Sequence, residues 1–429
     1  MTMPLFAFPL YLFLGRNKFR GHKKSIRRKI DAHRRKLQEN KNQATSNKIA
    51  AASEEEKVFE ILAESQFFSG NQTRILKDGK AAFGALFDSI RGAQDYILLQ
   101  FYIVRNDRIG KELKDLLLEK AKAGVRVYFM YDAWGCTFLS KSYISELNQK
   151  GCQMRPFEIK HKLRNFFQVN FRNHRKLVVV DGRIGLVGGM NIGDEYCVPE
   201  GKRYWRDTQL EVTGPVVHSL QASFLADWSW ATDTTLKVNW TSNGEVGDKR
   251  ILGLFTGPAD SRENGSFLFL QAILSAKKRI WISTPYFVPD DAIMKALELA
   301  SIRGVEVILL LPKIADHYLT WLASFAYMPE VVGYGVKIYR FFPGFLHQKA
   351  FLIDDEFAAI GSANLDIRSI RLNFEVTLLV SDRRFVSEVE SILEADMKQS
   401  ELFNPKDQSR FGTPLKIASK FARLFAPIL

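Results

Sequence analysis

The pattern His-x-Lys-x4-Asp occurs twice in this chain, and it constrains the fold more than any other feature of the sequence. The two copies lie 173 residues apart: His174, Lys176 and Asp181, then His347, Lys349 and Asp354. In each copy a glycine follows the histidine at +14 and an asparagine at +17: Gly188 and Asn191, then Gly361 and Asn364. One match to so short a pattern is weak, but two copies with matching sequels predict an internal repeat.

Each copy can assemble a polar cluster from local sequence alone. Residues i and i+2 of a strand lie on one face, so the histidine and lysine of each copy point the same way. Asp181-Gly182 is a hairpin signal that brings Asn191 back alongside His174, and Asp354-Asp355 would do the same for Asn364. We therefore expect the two clusters to form one site. The alternative is a structural His-Lys pair on a surface strand.

Strands and helices alternate in similar order in both halves. Helical patterns at 58–62, 83–90 and 110–123 alternate with β-runs at 96–104 and 125–131. In the second half, helices at 267–276 and 291–303 alternate with β-runs at 279–283 and 305–311. The predicted class is α/β, with two similar repeats packed around an active site between them. Each repeat is predicted to be a mixed, largely parallel β-sheet flanked by helices.

Composition shifts along the chain suggest five segments. We predict an apolar membrane anchor at 1–15, a basic and polar linker at 16–51, repeats at 52–240 and 241–403, and a basic amphipathic tail at 404–429. The apolar stretch at 3–14 precedes its basic flank, the order of a membrane anchor rather than of a secretory signal. It is too short to span a bilayer as a straight helix. The basic run could instead be a solvated or nucleic-acid-binding tail. The amphipathic tail could lie on a membrane or pack back on the body.

The charge and the cysteines of the chain indicate its partners and its redox compartment. A formal net charge of +14 with 46% hydrophobic residues indicates a globular protein that meets a polyanion or an anionic membrane. Three cysteines without C-x-x-C spacing indicate neither a disulfide framework nor a zinc site, which fits a reducing cytoplasmic location. Two groups of phenylalanines precede the histidines, and they could be core or part of a lipid site: Phe166, Phe167 and Phe171, then Phe341, Phe342 and Phe345.

Together these residues supply the groups that transfer of a phosphodiester's phosphoryl group needs: a nucleophile, an acid and base, and positive charge. One imidazole can attack phosphorus to form a phosphohistidine, while the other protonates the departing alcohol and deprotonates an incoming one. Fixed positive charge and amide donors around the phosphoryl oxygens would come from two lysines and two asparagines: Lys176, Lys349, Asn191 and Asn364. No metal or other cofactor is predicted, since no carboxylate cluster at metal-ligand spacing lies near the motifs. The spacing alone does not assign the two histidine roles.

The duplicated motif is the signature of the phospholipase D superfamily, which the chain resembles over nearly its whole length. Four longer runs resemble bacterial cardiolipin synthases: GGMNIGDEY from Gly188, WRDTQLEVTGPVVHSLQASFLADWSWAT from Trp205, TPYFVPDD from Thr284 and GSANLDIRSIRLNFEV from Gly361. The resemblance implies that His174 is the nucleophile and His347 the general acid and base. It also matches Glu375 to the acidic residue that orients a catalytic histidine in the family. Asp207 is the expected counterpart of Glu375, and its expected partner is His174. Asp181 and Asp354 complete the catalytic motifs, and we expect them to be structural.

The resemblance implies a cardiolipin synthase, which moves a phosphatidyl group from one phosphatidylglycerol to another and releases glycerol. It also implies anionic lipid as partner and the cytoplasmic side of the inner membrane as location. A phospholipase D hydrolase, or a phosphatidyltransferase with another acceptor alcohol, would use the same site. A nuclease of the superfamily is disfavoured by the apolar stretch at 3–14, so no nucleic-acid partner is expected. A scaffold with a dead site is disfavoured by two intact motifs.

Overall fold

The computed structural model describes residues 52–158, 170–199, 201, 203–241, 246–405 and 412–428. The apolar stretch at 3–14, its basic flank, the linker before residue 52 and the phenylalanines Phe166 and Phe167 lie outside these residues. Within them, helices and strands alternate as expected, and the α/β class is confirmed. No helix of this part of the chain combines the length and the hydropathy that a membrane span needs.

Polar capping residues begin most of the helices. The side chains of Asp78, Asp107, Asp290 and Asp382 each accept a hydrogen bond from a backbone N–H in the first turn of the helix that follows. The helices are α1 (Glu54–Ala63), α2 (Gly79–Gly92), α3 (Arg108–Lys122), α4 (Lys141–Gln149), α5 (Val217–Thr232), α6 (Asn264–Ser275), α7 (Asp291–Ile302), α8 (Tyr318–Val332), α9 (Ile367–Arg371), α10 (Arg383–Lys398) and α11 (Gly412–Arg423).

The strands are short and mostly buried, because helices cover the sheet. The first half contains β1 (Phe68–Leu76), β2 (Tyr96–Phe101), β3 (Arg126–Asp132), β4 (Gln153–Phe157), β5 (Arg172–Asn173), β6 (Leu177–Val180), β7 (Ile184–Gly188), β8 (Trp205–Arg206) and β9 (Gln209–Thr213). The second contains β10 (Lys249–Thr256), β11 (Arg279–Ser283), β12 (Phe287–Val288), β13 (Glu306–Pro312), β14 (Lys337–Phe341), β15 (Phe345–Leu346), β16 (Ala350–Ile353), β17 (Phe357–Gly361), β18 (Leu365–Asp366), β19 (Asn373–Ser381) and β20 (Ser400–Leu402).

One continuous sheet runs through both halves and shows the repeat directly. From its centre outwards the order is β1-β9-β7-β6-β2-β3-β4 in the first half and β10-β19-β17-β16-β11-β13-β14 in the second, with β20 on the outer edge. The two halves meet where β1 pairs antiparallel with β10. Parallel pairing in this order is confined to β2-β3-β4 and β11-β13-β14, and the hairpin strands pair antiparallel. The sheet is therefore mixed, as predicted, but antiparallel pairs outnumber parallel ones, whereas a largely parallel sheet was expected.

Short strands cross between the halves beside the sheet centre. β5, just before His174, pairs parallel with the start of β19. β15, just before His347, pairs parallel with β8. Each histidine therefore enters the site alongside a strand of the opposite half, and this arrangement decides which side chains it meets.

Helix α1 belongs by sequence position to the predicted first repeat but packs on the second. Phe59 lies in the second-half core with its ring 5.7 Å from that of Phe357, and Glu56 forms an ion pair with Arg250 at 2.7 Å. The sequence around 58–62 predicts a helix but not its docking partner. The five segment boundaries remain predictions.

Candidate active site

Both motif hairpins form as expected. Strands β6 and β7 pair antiparallel around a turn at Asp181, and β16 and β17 do so around Asp354. Asp181 and Asp354 both have a positive φ, at 53° and 50°, which aspartate tolerates better than most residues. The two hairpins are therefore equivalent in backbone conformation as well as in sequence.

The motif aspartates lie at the far end of their strands and do not reach the histidines. Each is seven residues beyond its histidine, roughly 20 Å along an extended chain. Asp181 accepts hydrogen bonds from the backbone N–H groups of 94, 95 and 96, and Asp354 from those of 277, 278 and 279, all at 2.7–2.9 Å. Grouping them with the catalytic residues is wrong, and the expectation that they are structural fits these contacts. They tie each turn to the start of the neighbouring strand.

Each histidine meets a carboxylate of the opposite half. The Nδ1 atom of His174 lies 2.9 Å from Glu375, and Nδ1 of His347 lies 2.7 Å from Asp207. All four side chains are buried. The expected pairing of Asp207 with His174 is therefore wrong, because the two carboxylates are exchanged between the repeats.

The cause of the exchange is the register of the crossing strands. The backbone N–H of His174 donates to the carbonyl of Phe374, which sets Glu375 beside the imidazole. The backbone N–H of His347 likewise donates to the carbonyl of Arg206, which sets Asp207 beside that ring. The repeats thus depend on each other for their buried polar partners. A local motif could not reveal this, since the contacting residues are 201 and 140 positions apart.

A glycine allows Asp207 to approach. A Cβ added at Gly189 would lie 2.4 Å from Oδ2 of Asp207, so only glycine leaves the carboxylate its place. Gly189 directly follows Gly188 of the repeated pattern. Because Gly189 has no side chain, the carboxylate of Asp207 can lie beside His347, the histidine of the other repeat.

The two motif lysines are buried beneath the histidines. The ammonium of Lys176 donates to the backbone carbonyl of His174 at 2.8 Å and lies 5.4 Å from the ring centre of Tyr102. The ammonium of Lys349 donates to the carbonyl of His347 and lies 3.7 Å from Asp207. Each lysine thus lies beside its own histidine, although residues 174–176 and 347–349 lie between strands rather than within one, so the period-two argument does not apply to them. Phosphate binding by these lysines stays a prediction.

The two motif asparagines are buried but differently engaged. The side-chain oxygen of Asn191 accepts a hydrogen bond from the backbone N–H of Ile103. The backbone N–H of Asn191 donates to the hydroxyl of Tyr196, and this hydroxyl lies 3.4 Å from Nδ1 of His347. Asn364 donates to Asp366 at 3.1 Å and leaves its side-chain oxygen without a partner among the described residues. Asn191 therefore connects through Tyr196 to the second histidine. Their role at the phosphate remains a prediction.

Burial and shared positive charge keep both imidazoles neutral. Burial lowers the pKa of His174 to about 4, against the opposing charge of Glu375, and Lys176 and Lys349 lower it further. Burial and the same two lysines hold the pKa of His347 well below its usual value. Because both lysines act on both rings, the two clusters are one electrostatic unit. Burial also lowers the pKa of Lys349, to about 8, against the charge of Asp207.

The two carboxylates differ. Burial raises the pKa of Asp207 to about 6, against the charge of Lys349. Burial also opposes ionisation of Glu375, but the nearby His174 and Lys176, with the hydroxyl of Ser362 at 2.5 Å, bring its pKa below the usual value. Glu375 is therefore ionised throughout the neutral range, whereas Asp207 titrates just below it. This difference breaks the symmetry that the repeat suggests.

A buried network that sequence analysis missed holds the strand of His174. Asp227 on α5 accepts hydrogen bonds from Gln100, Asn173 and Arg175, all at 2.8 Å. Arg175 also donates to the backbone carbonyl of Glu375 at 3.1 Å. The network thus fixes both members of the His174–Glu375 pair. Its signal was Asp227 itself, the one acidic residue in the sequence of α5, within the run that begins at Trp205.

Aromatic rings line the histidines. Tyr102 lies 4.9 Å from the ring of His174, and Trp205 lies 4.9 Å from that of His347. Of the phenylalanines before the histidines, Phe342 is exposed, while three are buried and so favour the core interpretation: Phe171, Phe341 and Phe345. Beside Phe345 lies a small pocket that Tyr286 and Asp316 also line. Both imidazoles are buried beside these rings.

Comparisons with known proteins agree with this geometry. The family described as "Cardiolipin synthase, PLD-like domain" matches residues 86–228 and 269–397. Cardiolipin synthase A of Pseudomonas putida (strain W619) is 46% identical over 84% of this chain and 76% of its own length. The chain belongs to the cardiolipin synthase family. A second cardiolipin synthase A, from Pseudomonas putida, is 41% identical over 100% of this chain and 91% of its own length.

The fold has a solved counterpart. Phosphatidylserine synthase of Haemophilus influenzae Rd KW20 superposes with a TM-score of 0.66 at 17% identity, covering 88% of this chain and all of that one. As a member of the cardiolipin synthase family, the chain is a phosphatidyltransferase of the phospholipase D superfamily that acts on phospholipids. Among the described residues, no group of three His, Cys, Asp or Glu side chains could hold a metal ion. Independence from metal stays a prediction.

Proposed function

We propose that this chain transfers a phosphatidyl group from one phosphatidylglycerol to the terminal hydroxyl of another, yielding cardiolipin and glycerol through a phosphohistidine. The observation that carries the proposal is the exchanged pairing at the site centre. Two buried neutral imidazoles each have Nδ1 beside a carboxylate, and neither Nε2 has a hydrogen-bond partner in the described part of the chain. A proton on Nδ1 then leaves Nε2 with a free lone pair.

The reaction consists of two displacements at one phosphorus. Nε2 of His174 attacks the donor's phosphorus, the bond from phosphorus to the glycerol oxygen breaks, and His347 gives that oxygen its proton. The acceptor's hydroxyl then attacks the phosphohistidine as His347 takes its proton, and the N–P bond breaks back to His174. Both histidines end as they began, so one site serves both steps.

The carboxylates support His174 as the nucleophile. Attack on phosphorus places positive charge on the imidazole, and an ionised partner at Nδ1 stabilises that charge. Glu375 beside His174 is ionised at every pH near neutrality, whereas Asp207 beside His347 has a pKa of about 6. Below a pH of about 6 only Glu375 keeps its charge, which agrees with the assignment that the family resemblance implies.

The substrate's own charge prepares His347 as the acid. Burial comes first among the causes that depress the pKa of His347, and the charges of Lys349 and Lys176 follow. A phosphodiester anion bound beside these lysines offsets their charge and raises the pKa of His347. Binding of the donor lipid would therefore favour protonation of His347.

Asn191 and Asn364 each retain amide N–H capacity for the phosphoryl oxygens. We place the enzyme at the cytoplasmic face of the inner membrane. The net charge of +14 and a basic run after the apolar stretch at 3–14 support this location.

The product formed from pure phosphatidylglycerol vesicles tests the proposal. Mass spectrometry should find cardiolipin and glycerol in equal amounts, with undiminished yield in chelator. Phosphatidic acid as sole product would make the chain a hydrolase, the alternative that the same site permits. Activity that vanishes in chelator and returns with a divalent ion would refute the metal-independent mechanism.

A further inference from the structure

Helix α11 turns its large apolar side chains outward. Ile417 and Phe421, spaced i and i+4 on one face, and Leu424 in the turn directly after the helix are 63%, 60% and 73% exposed. The buried residues of this segment are small: Ser419 and Ala422 in the helix, and Ala426 after it. An ordinary surface helix has the reverse arrangement, with large apolar residues inward and small or polar ones outward.

The helix is nevertheless firmly seated. Ala422 and Ala426 belong to the second-half core, against α8. Arg423 forms an ion pair with Glu330 of α8, and its guanidinium lies 4.3 Å from the ring centre of Tyr327. The tail thus packs back on the body, one of the two arrangements that its sequence allows. The outward face is left for a second contact.

The charge of this segment indicates what that contact is. Residues 412–429 contain three basic side chains and no acidic one, and Lys416 and Lys420 are exposed. Contiguous exposed apolar surface beside positive charge fits an anionic bilayer. We propose that the exposed face of α11, formed by Ile417, Phe421 and Leu424 with Lys416 and Lys420, is a docking surface that inserts into an anionic lipid bilayer.

Two other occupants fit less well. A second copy of the chain would bring Lys416 and Lys420 of both copies together around the apolar patch, and like charges repel. The chain's own segment at 3–14 is apolar but is followed by a run of eight basic residues before position 30, so it carries the same sign of charge. Only the anionic bilayer complements both the apolar face and the lysines.

The position of α11 would also orient the enzyme. Helix α8, on which it rests, begins two residues after Asp316, whose carboxylate lies 2.5 Å from the hydroxyl of Tyr286 in the pocket beside Phe345. The turn that follows α11 contacts α9, where Arg368 binds Asn170, four residues before His174. Docking through α11 would thus fix how the site faces the membrane. This docking surface is separate from the reaction of the proposed function, and binding of the protein to vesicles can be measured without any turnover of lipid.

A fluorescent reporter on the face tests the proposal directly. Phe421→Cys is labelled with an environment-sensitive fluorophore on the whole 429-residue chain, and Ile302→Cys, on the exposed end of α7, is the matched control. Unsubstituted protein carried through the same labelling corrects for Cys136, Cys152 and Cys197. On adding vesicles of phosphatidylserine and phosphatidylcholine, the label at 421 should shift to the blue and brighten, while the label at 302 should not.

The other outcomes overturn the proposal in distinguishable ways. Unchanged emission at 421 means that the face does not insert. A blue-shifted label before vesicles are added means that protein covers the face: dependence on protein concentration identifies a second copy, and independence identifies the chain's own segment. Since phosphatidylserine is not the proposed donor, none of these results depends on whether the chain makes cardiolipin.

A charge variant supplies a second measurement. Lys416→Gln with Lys420→Gln should weaken the fluorescence-detected vesicle binding of the labelled protein about 30-fold at low salt. A matched pair of exposed lysines, Lys57→Gln with Lys278→Gln, should change it little. Both variants should retain the thermal unfolding midpoint, since all four side chains are exposed. Equal weakening by the two pairs would mean that the whole charge of the protein, and not this surface, attracts the bilayer.

Discussion

Replacing Glu375 with glutamine should separate orientation of His174 from stabilisation of its charge. The amide oxygen of Glu375→Gln can still accept the Nδ1 proton across the present 2.9 Å, so the imidazole keeps its tautomer. The variant loses the negative charge. With charge centres about 4 Å apart and an effective dielectric constant near 20, that charge contributes about 4 kcal/mol when the imidazole becomes cationic. Formation of the phosphohistidine should therefore slow by about a thousandfold.

The assay is single-turnover labelling with a phosphatidyl donor whose leaving group needs no protonation, so that His347 does not limit the step. Asp207→Asn is the matched control, because it makes the same change at the other imidazole. It should slow turnover of phosphatidylglycerol strongly but labelling by this donor much less. A tenfold or smaller loss in Glu375→Gln, or a larger labelling defect in Asp207→Asn, would refute the exchanged pairing as the source of nucleophilicity.

Three further outcomes concern the site, and a fourth concerns the N-terminal stretch. Lys176→Ala or Lys349→Ala should lower kcat by a factor of about a hundred to a thousand with an unchanged circular dichroism spectrum, and near-normal rates would mean that the lysine is not at the phosphate. The kcat/KM profile should fall below a pH of about 6 as Asp207 gains a proton, fall further below about 4 as His174 is protonated, and fall above about 8 as Lys349 loses its proton, so a flat profile between 8 and 10 would contradict phosphate binding by Lys349. Asp227→Asn should destabilise the fold by about 3 kcal/mol or more, because it leaves the guanidinium of Arg175 buried without its carboxylate, and an unchanged urea midpoint would contradict this. Deleting residues 1–36 should weaken membrane recovery at low salt while activity on detergent-dispersed lipid persists, and an unchanged membrane fraction would place the anchoring elsewhere.

Local pattern was enough to predict the repeated elements. The β-run at 279–283 coincides with β11, and the helix expected at 291–303 ends one residue earlier, at Ile302. The hairpin turns at Asp181 and Asp354 also follow from sequence, because only a few residue types adopt positive φ readily. These features depend on residues close in sequence, whose geometry the backbone itself fixes.

The exchanged carboxylates could not be predicted in the same way. Their pairing depends on β5 and β8, two-residue strands with no periodicity to detect, which align parallel with distant partners. Assuming that each repeat is self-contained led to the wrong partner for His174. The docking of α1 on the second half and the inward face of α11 also depend on tertiary packing, because an amphipathic pattern gives a helix and its faces but not what each face contacts.

The division of labour between the two histidines is tested most directly by locating the covalent intermediate. His174→Ala and His347→Ala are each incubated with a labelled phosphatidyl donor whose leaving group needs no protonation. The reactions are quenched in alkali, which preserves the acid-labile bond, and the adduct is mapped by mass spectrometry. If His174 attacks phosphorus and His347 moves protons, label accumulates on His174 in His347→Ala and is absent from His174→Ala. Label on His347 in His174→Ala would contradict the assignment and reverse the two roles.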